Sequence, residues 1–211
     1  MNSELIRKDF PILETKVKGH PVVYFDNGAT TQRPLPVMRA VMDYVTRNNG
    51  NPHRGAHIFA MSASEAYDTS KTVVKDFIGA KSEKEIIYTR NTSESLNLVA
   101  RSYGETHLKE GDRILIPVSE HHSNLVPWQR AAKKTGAVLE YMYVDKETGH
   151  FPEEELKKID DPRVKILAFA QVSNVLGLSI DARALIRRAH KHGAVVVLDL
   201  SLIHISEPTR P

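Results

Sequence analysis

Cysteine is missing from all 211 residues, tryptophan occurs once, and glycine and proline occur eleven times each. The first absence excludes a disulfide scaffold and thiolate metal sites, and it removes the commonest sulfur nucleophile. No run of about eighteen apolar residues occurs, which argues against a membrane span. The N-terminal stretch MNSELIRKDF is charged where a secretory signal would be apolar. Those features predict a cytoplasmic protein with no membrane partner. Charge of one sign is also lacking: 29 basic and 26 acidic residues are scattered along the chain for a net charge of +3. The densest basic stretch, Arg187-Arg188-Ala189-His190-Lys191, falls on an amphipathic segment and reads as a solvated helix face, so no nucleic-acid partner is expected. Ten histidines are present, but none shows metal-ligand spacing, and no metal site is expected.

What the chain does have is a regular alternation of strand-like and helix-like segments. Short β-branched or apolar runs at Val22–Phe25, Ile86–Tyr88, Ile114–Ile116, Val138–Val144, Val164–Ala170 and Val195–Leu198 read as strands. Between them, Pro36–Arg47, Ser62–Ile78, Ser93–Tyr103, Leu125–Thr135, Glu153–Ile159 and Asp181–His192 read as helices. Gly79, Gly104, Gly136 and Gly193 stand where helices should stop, and Asp181 where the last should be capped. Val164–Ala170 is apolar almost throughout, as a strand covered on both faces requires. Repeated strand–helix–strand units predict an α/β fold with a mainly parallel sheet and helices on both faces. The expected organisation is a leader over 1–20, a large domain over 21–199, and a tail over 200–211 (LSLIHISEPTRP) that breaks the pattern.

In such a sheet, ligands bind beyond the carboxyl ends of the strands. Five strand-end segments carry chemistry: 26–31 (DNGATT), 91–94 (NTSE), 120–124 (EHHSN), 172–177 (VSNVLG) and Asp199. Asn91-Thr92-Ser93-Glu94 opens a helix with hydroxyls and free N–H groups, which suits a phosphate; its plainer reading is a helix cap completed by Glu94. A carboxylate at Asp199, after a Val-rich strand, needs a partner such as a protonated ring nitrogen, or else caps the next turn. His122 could stack on a flat ring or move protons, or be structural. Asn174 could donate to a phenolate oxygen, or be a turn residue. Taken together, these groups form the constellation that holds pyridoxal 5'-phosphate. The two glycine-rich nucleotide cradles are absent, which speaks against a nicotinamide dehydrogenase.

The strings Asp26-Asn27-Gly28-Ala29-Thr30-Thr31, Asn51-Pro52-His53-Arg54-Gly55-Ala56-His57, Tyr88 to Ala100, Glu120-His121-His122-Ser123-Asn124-Leu125-Val126-Pro127-Trp128-Gln129, Val172 to Gly177 and Val197-Leu198-Asp199 follow one another in order. Over Leu5 to Asp199 they make the chain resemble the N-terminal part of SUF-type (group II) cysteine desulfurases. Those enzymes are close to the selenocysteine lyases in the class V aminotransferase family. The resemblance implies the PLP-dependent transferase fold type I. It also implies removal of sulfur from L-cysteine to give L-alanine and an enzyme persulfide, which passes to a sulfur-acceptor protein of the SUF system for iron–sulfur cluster assembly.

By the same resemblance, Thr92 and Ser93 would hold the phosphate, His122 would stack on the ring and act in proton transfer, and Asn174 would contact the ring oxygen. Asp199 would pair with the pyridinium nitrogen, while Ala29, His53 and Arg54 would line the substrate pocket. The intact protein would be a homodimer. Where the family continues with Gly-Ala-Gln and later Ser-Gly-His-Lys, this chain reads Asp199-Leu200-Ser201. The Schiff-base lysine and the nucleophilic cysteine are therefore expected beyond the matching region, the tail is expected to be foreign to the gene, and this polypeptide is expected to be inactive. Alternatives are a selenocysteine lyase acting on L-selenocysteine, a kynureninase-like or epimerase-like class V enzyme, or a non-catalytic fragment.

Overall fold

A computed structural model describes residues 3–202. The expected non-family tail falls largely outside them, at 203–211. The chain divides into two compact units, 1–88 and 89–211.

In the first unit, a short helix α1 (Ser3–Arg7) precedes a two-residue antiparallel hairpin of β1 (Lys16–Val17) and β2 (His20–Pro21). Two helices follow, α2 (Leu35–Arg47) and α3 (Ile58–Ile78). The apolar stripe Val37, Val41 and Val45 does form one helix face, but it lies exposed. Helix α3 starts four residues earlier than the periodicity predicts, because the His57 imidazole accepts the Ala60 N–H and caps it. It ends at Gly79 as expected, at φ +71°. Val22–Phe25 is not a strand: Val23 and Phe25 are 72% and 91% exposed. Ile86–Tyr88 is not a strand either. Strand propensity is realised only through a ladder partner, and among the described residues neither segment has one.

The second unit contains α4 (Thr92–Val99), continued by a wider π-turn over Ala100–Gly104 into α5 (Glu105–His107). Then come β3 (Arg113–Pro117), α6 (His122–Thr135), β4 (Val138–Met142), α7 (Glu153–Leu156), β5 (Val164–Ala170), α8 (Ala182–Lys191) and β6 (Val195–Asp199). The predicted stop at Gly104 is wrong for a packing reason. A Cβ there would lie 3.3 Å from the Trp128 ring, so the glycine lets the helix pass close to α6 rather than ending it. The predicted helix at Glu153–Ile159 splits into α7 and a 3-10 turn over Lys157–Asp160. Helix α8 is capped as predicted: Asp181 accepts the Ala184 N–H, and Gly193 adopts φ +78°.

All four longer strands are parallel, in the order β4-β3-β5-β6. Alternation along them feeds two cores. Ile114, Ile116, Ile166 and Ala168 face one way, against Ala100, Trp128, Ala131 and Ala132 of the π-turn and α6. Leu115, Leu167 and Phe169 face the other way, against Ile159, Leu185 and Ala189. The sheet is thus covered by helices on both faces, which explains why β5 reads as a nearly unbroken apolar run. From β3 the chain first winds outward to β4 and then returns past β3 to β5. The switch point, where a crevice opens outside the carboxyl ends of the strands, therefore lies between β3 and β5.

Candidate functional site

Three of the five chemically rich segments follow observed strands: 120–124 after β3, 172–177 after β5, and Asp199 at the end of β6. Because the strands are parallel, these three share one end of the sheet. Segments 26–31 and 91–94 follow stretches that are not strands.

Asp199 is 4% exposed. Its Oδ1 accepts the Ser201 N–H at 2.8 Å, so the turn-capping role is real. Its Oδ2 has no hydrogen-bond partner among the described residues. No buried side-chain nitrogen or oxygen among the described residues lacks a partner, so this second oxygen is open to solvent and free to meet a cation or donor.

At the start of α4, Asn91 is the cap: its Oδ1 accepts the Glu94 N–H at 2.9 Å. The Glu94 carboxylate turns back to the Arg90 N–H and guanidinium, which hold it below the usual carboxylate range. The capping reading of this segment is therefore correct, and it leaves the phosphate reading intact. The N–H groups and hydroxyls of Thr92 and Ser93 have no protein acceptor among the described residues, and a helix N-terminus favours an anion there. Capping consumes the Glu94 amide and spares the two before it.

His121 and His122 stand at the start of α6. His121 caps α6, its Nδ1 accepting the Ser123 N–H at 3.1 Å, and His122 is the first helical residue. The His122 imidazole is exposed and stands edge-to-face with that of His121, at 6.2 Å between centroids. It forms no hydrogen bond among the described residues, which leaves its face and both nitrogens available. Asn174 lies exposed in a turn that Ser173 organises by accepting the Val175 and Leu176 N–H groups; Gly177 closes the turn at φ +66°.

The sequence reading passed over Glu120. Its Oε1 accepts the Ala170 N–H at 2.9 Å, and its Oε2 accepts the Asn124 Nδ2–H at 2.7 Å. Asn124 is fully buried, and its Oδ1 accepts the Trp128 Nε1–H at 3.0 Å. Burial pushes the Glu120 carboxyl above its ordinary value, and the neighbouring Asp199 pushes it the same way. No pattern within the segment signals this role, since the partner Ala170 lies fifty positions away.

The three expected substrate residues belong to the first unit. Ala29 is in an exposed turn, its N–H bonded to the Asp26 carbonyl. His53 adopts φ +59°, a left-handed conformation uncommon outside glycine. Three contacts hold it: its N–H donates to Ser64 Oγ at 2.8 Å, its Nε2 lies 3.3 Å from Asp68 Oδ1, and its ring meets Tyr67 edge-on. Arg54 is exposed beside it.

Among the described residues, no cluster of three or more His, Asp or Glu side chains could hold a metal ion. In the same residues, no helix is long and apolar enough to cross a membrane.

Comparison with known proteins follows the same residues. A family model described as aminotransferase class-V matches 23–208. A probable cysteine desulfurase of Synechocystis sp. is 45% identical over 194 residues, which are 92% of this chain and 46% of that protein. One from Halalkalibacterium halodurans is 44% identical over 199 residues, 94% of this chain and 49% of that protein. Among solved structures, the apo cysteine desulfurase of Thermococcus onnurineus superposes with a TM-score of 0.84 at 41% identity, covering 94% of this chain and 47% of that one. The chain spans about half the length of the relatives it matches.

Proposed function

The chain belongs to the class V aminotransferase family, and from that premise we propose that it is the N-terminal part of a SUF-type cysteine desulfurase. Class V aminotransferases and cysteine desulfurases are pyridoxal-phosphate-dependent. The observation that carries the reading is the Asp199 carboxylate at the end of β6, held by one oxygen and leaving the other free, at the same sheet end as His122 and Asn174. The residues present fit this cofactor: an unpaired acid for a protonated ring nitrogen, and four unpaired donors at Thr92 and Ser93 for a phosphate.

When bound, pyridoxal phosphate supplies an electron sink for charge released at the amino acid's α-carbon. The protein's part is to place and tune that group. Thr92 and Ser93 would hold the phosphate at the positive end of α4. Asp199 would pair with the ring nitrogen, and Asn174 would donate to the ring oxygen. His122 would stack on the ring and could move a proton at an imidazole nitrogen. By the family resemblance, Ala29, His53 and Arg54 would serve the substrate. In the intact protein, a cysteine thiolate would attack the substrate sulfur; a sulfur–sulfur bond forms as the carbon–sulfur bond breaks, its electron pair stays with the β-carbon, which takes up a proton, and alanine leaves. L-cysteine is favoured over L-selenocysteine because the relatives at 44–45% identity are named for it. We place the intact protein in the cytoplasm, as a homodimer passing its persulfide sulfur to an acceptor protein for iron–sulfur cluster assembly.

Two results test this reading. The 211-residue polypeptide has no thiol, so it is expected to form no alanine from cysteine; alanine above a buffer blank would contradict that. Sequencing the source gene past the Asp199 codon is expected to give Gly-Ala-Gln, later Ser-Gly-His-Lys, and then a cysteine codon. A gene that ends after Pro211 would overturn the desulfurase assignment.

A further inference from the structure

The ladder between β3 and β5 is recorded only as far as Leu115 and Leu167. Three residues beyond it, the Ala170 N–H has no strand carbonyl to meet, and the Glu120 carboxylate takes that place from the loop after β3. Ala170 is the register partner of Asp199, and the next N–H, that of Gln171, donates to the Asp199 carbonyl at 3.0 Å. One carboxylate thus ties the loop after β3 to the end of β5, across the switch point, one residue before the N–H that bonds the Asp199 carbonyl. Its other oxygen is fixed through Asn124 to the buried Trp128.

We infer that Glu120 is a positioning residue for Asp199, holding the Asp199 carboxylate where it meets a ring nitrogen. This rests on the pyridoxal-phosphate reading above. The hydrogen bonds also have a fixed direction. Trp128 can only donate, so Asn124 must turn its oxygen to the indole and its amide to Glu120, and Glu120 must accept. A glutamine at 120 can accept from Ala170, but it then presents NH2 to the NH2 of Asn124. Flipping Asn124 moves the clash to Trp128. A buried donor facing a donor is left unsatisfied, and the strand end shifts to relieve it.

The direction can be reversed. With Glu120→Gln combined with Asn124→Asp, the new carboxylate at 124 accepts from both the glutamine amide and the indole. That restores the geometry while moving the charge by four residues.

The probe is pyridoxamine 5'-phosphate, which has the ring and phosphate but no aldehyde to react with surface lysines. Binding to the full 211-residue chain is measured by equilibrium dialysis, with the ring-nitrogen titration followed by ultraviolet absorbance and the fold checked by circular dichroism. Glu120→Gln is expected to weaken binding about tenfold, the equivalent of one unsatisfied buried group, and to lower the ring-nitrogen pKa. Inorganic phosphate, which does not reach Asp199, is expected to bind the variant as it binds the wild type. The double variant is expected to recover binding to within about twofold of wild type.

Wild-type affinity and ring pKa in Glu120→Gln, alongside weakened binding in Asp199→Asn, would overturn this inference and leave the cofactor reading standing. Failure of the double variant to recover would reduce Glu120 to a charge effect and also overturn it. No binding by the wild type would defeat the cofactor reading itself.

Discussion

Trp128→Ala is expected to lower the stability of the second unit by about 4 kcal/mol, the size of the largest single-residue core losses. Trp128 is fully buried among Ile114, Ile116, Ala131, Ile166 and Ala168, where two strands and α6 meet. The neighbouring residues cannot close over the void, because Gly104 has no side chain to move in and the strands are fixed by their ladders. Truncation also strands the buried Asn124 oxygen. Against a typical total of about 5–15 kcal/mol, this removes a large share of the stability. The measurement is the urea midpoint by far-ultraviolet circular dichroism, since the sole tryptophan is the residue removed. Trp128→Phe separates the two losses. It keeps most of the volume but not the donor, and should cost about 1–2 kcal/mol. A midpoint for Trp128→Ala within error of wild type would show that this core does not carry the fold.

Asp199→Asn should spare stability and weaken binding. The asparagine amide oxygen can still accept the Ser201 N–H, so the turn after β6 is kept. The unfolding midpoint is expected to stay level. Affinity for pyridoxamine phosphate is expected to fall about 30-fold or more, the equivalent of roughly 2 kcal/mol or above for losing one partner of a buried charged pair. Destabilisation with unchanged binding would make Asp199 a turn residue only.

The parts of the fold that were legible in the sequence are those set by local burial. Val164–Ala170 is apolar because both faces of the sheet are covered there, and that shows in composition alone; Val195–Leu198, on the edge strand, is only partly covered, yet its β-branched run still reads as a strand. Val22–Phe25 and Ile86–Tyr88 have the same β-branched and aromatic character, yet a strand also needs a neighbour, and a neighbour is not a local property. The starts of α3 and α6 were misplaced for a chemical reason. Both are capped by histidine, at His57 and His121, where the usual signal is Ser, Thr, Asp or Asn. Gly104 has the composition of a helix stop but the function of a packing notch, which only the opposing Trp128 reveals. In the site, Asp199 and the Thr92–Ser93 pair could be read from their places at a strand end and a helix start. Glu120 could not, because its partners are a backbone amide on another strand and a buried side chain one helical turn on.

The central claim is that the carboxyl end of this sheet is a pyridoxal-phosphate site. Its most direct test is the binding of pyridoxamine 5'-phosphate to the folded wild-type chain, followed by dialysis with inorganic phosphate as competitor. The account predicts saturation at one equivalent per chain, displacement by phosphate, and loss of affinity in Asp199→Asn. A folded chain that binds no probe, or binds it equally well without the Asp199 carboxylate, would contradict it.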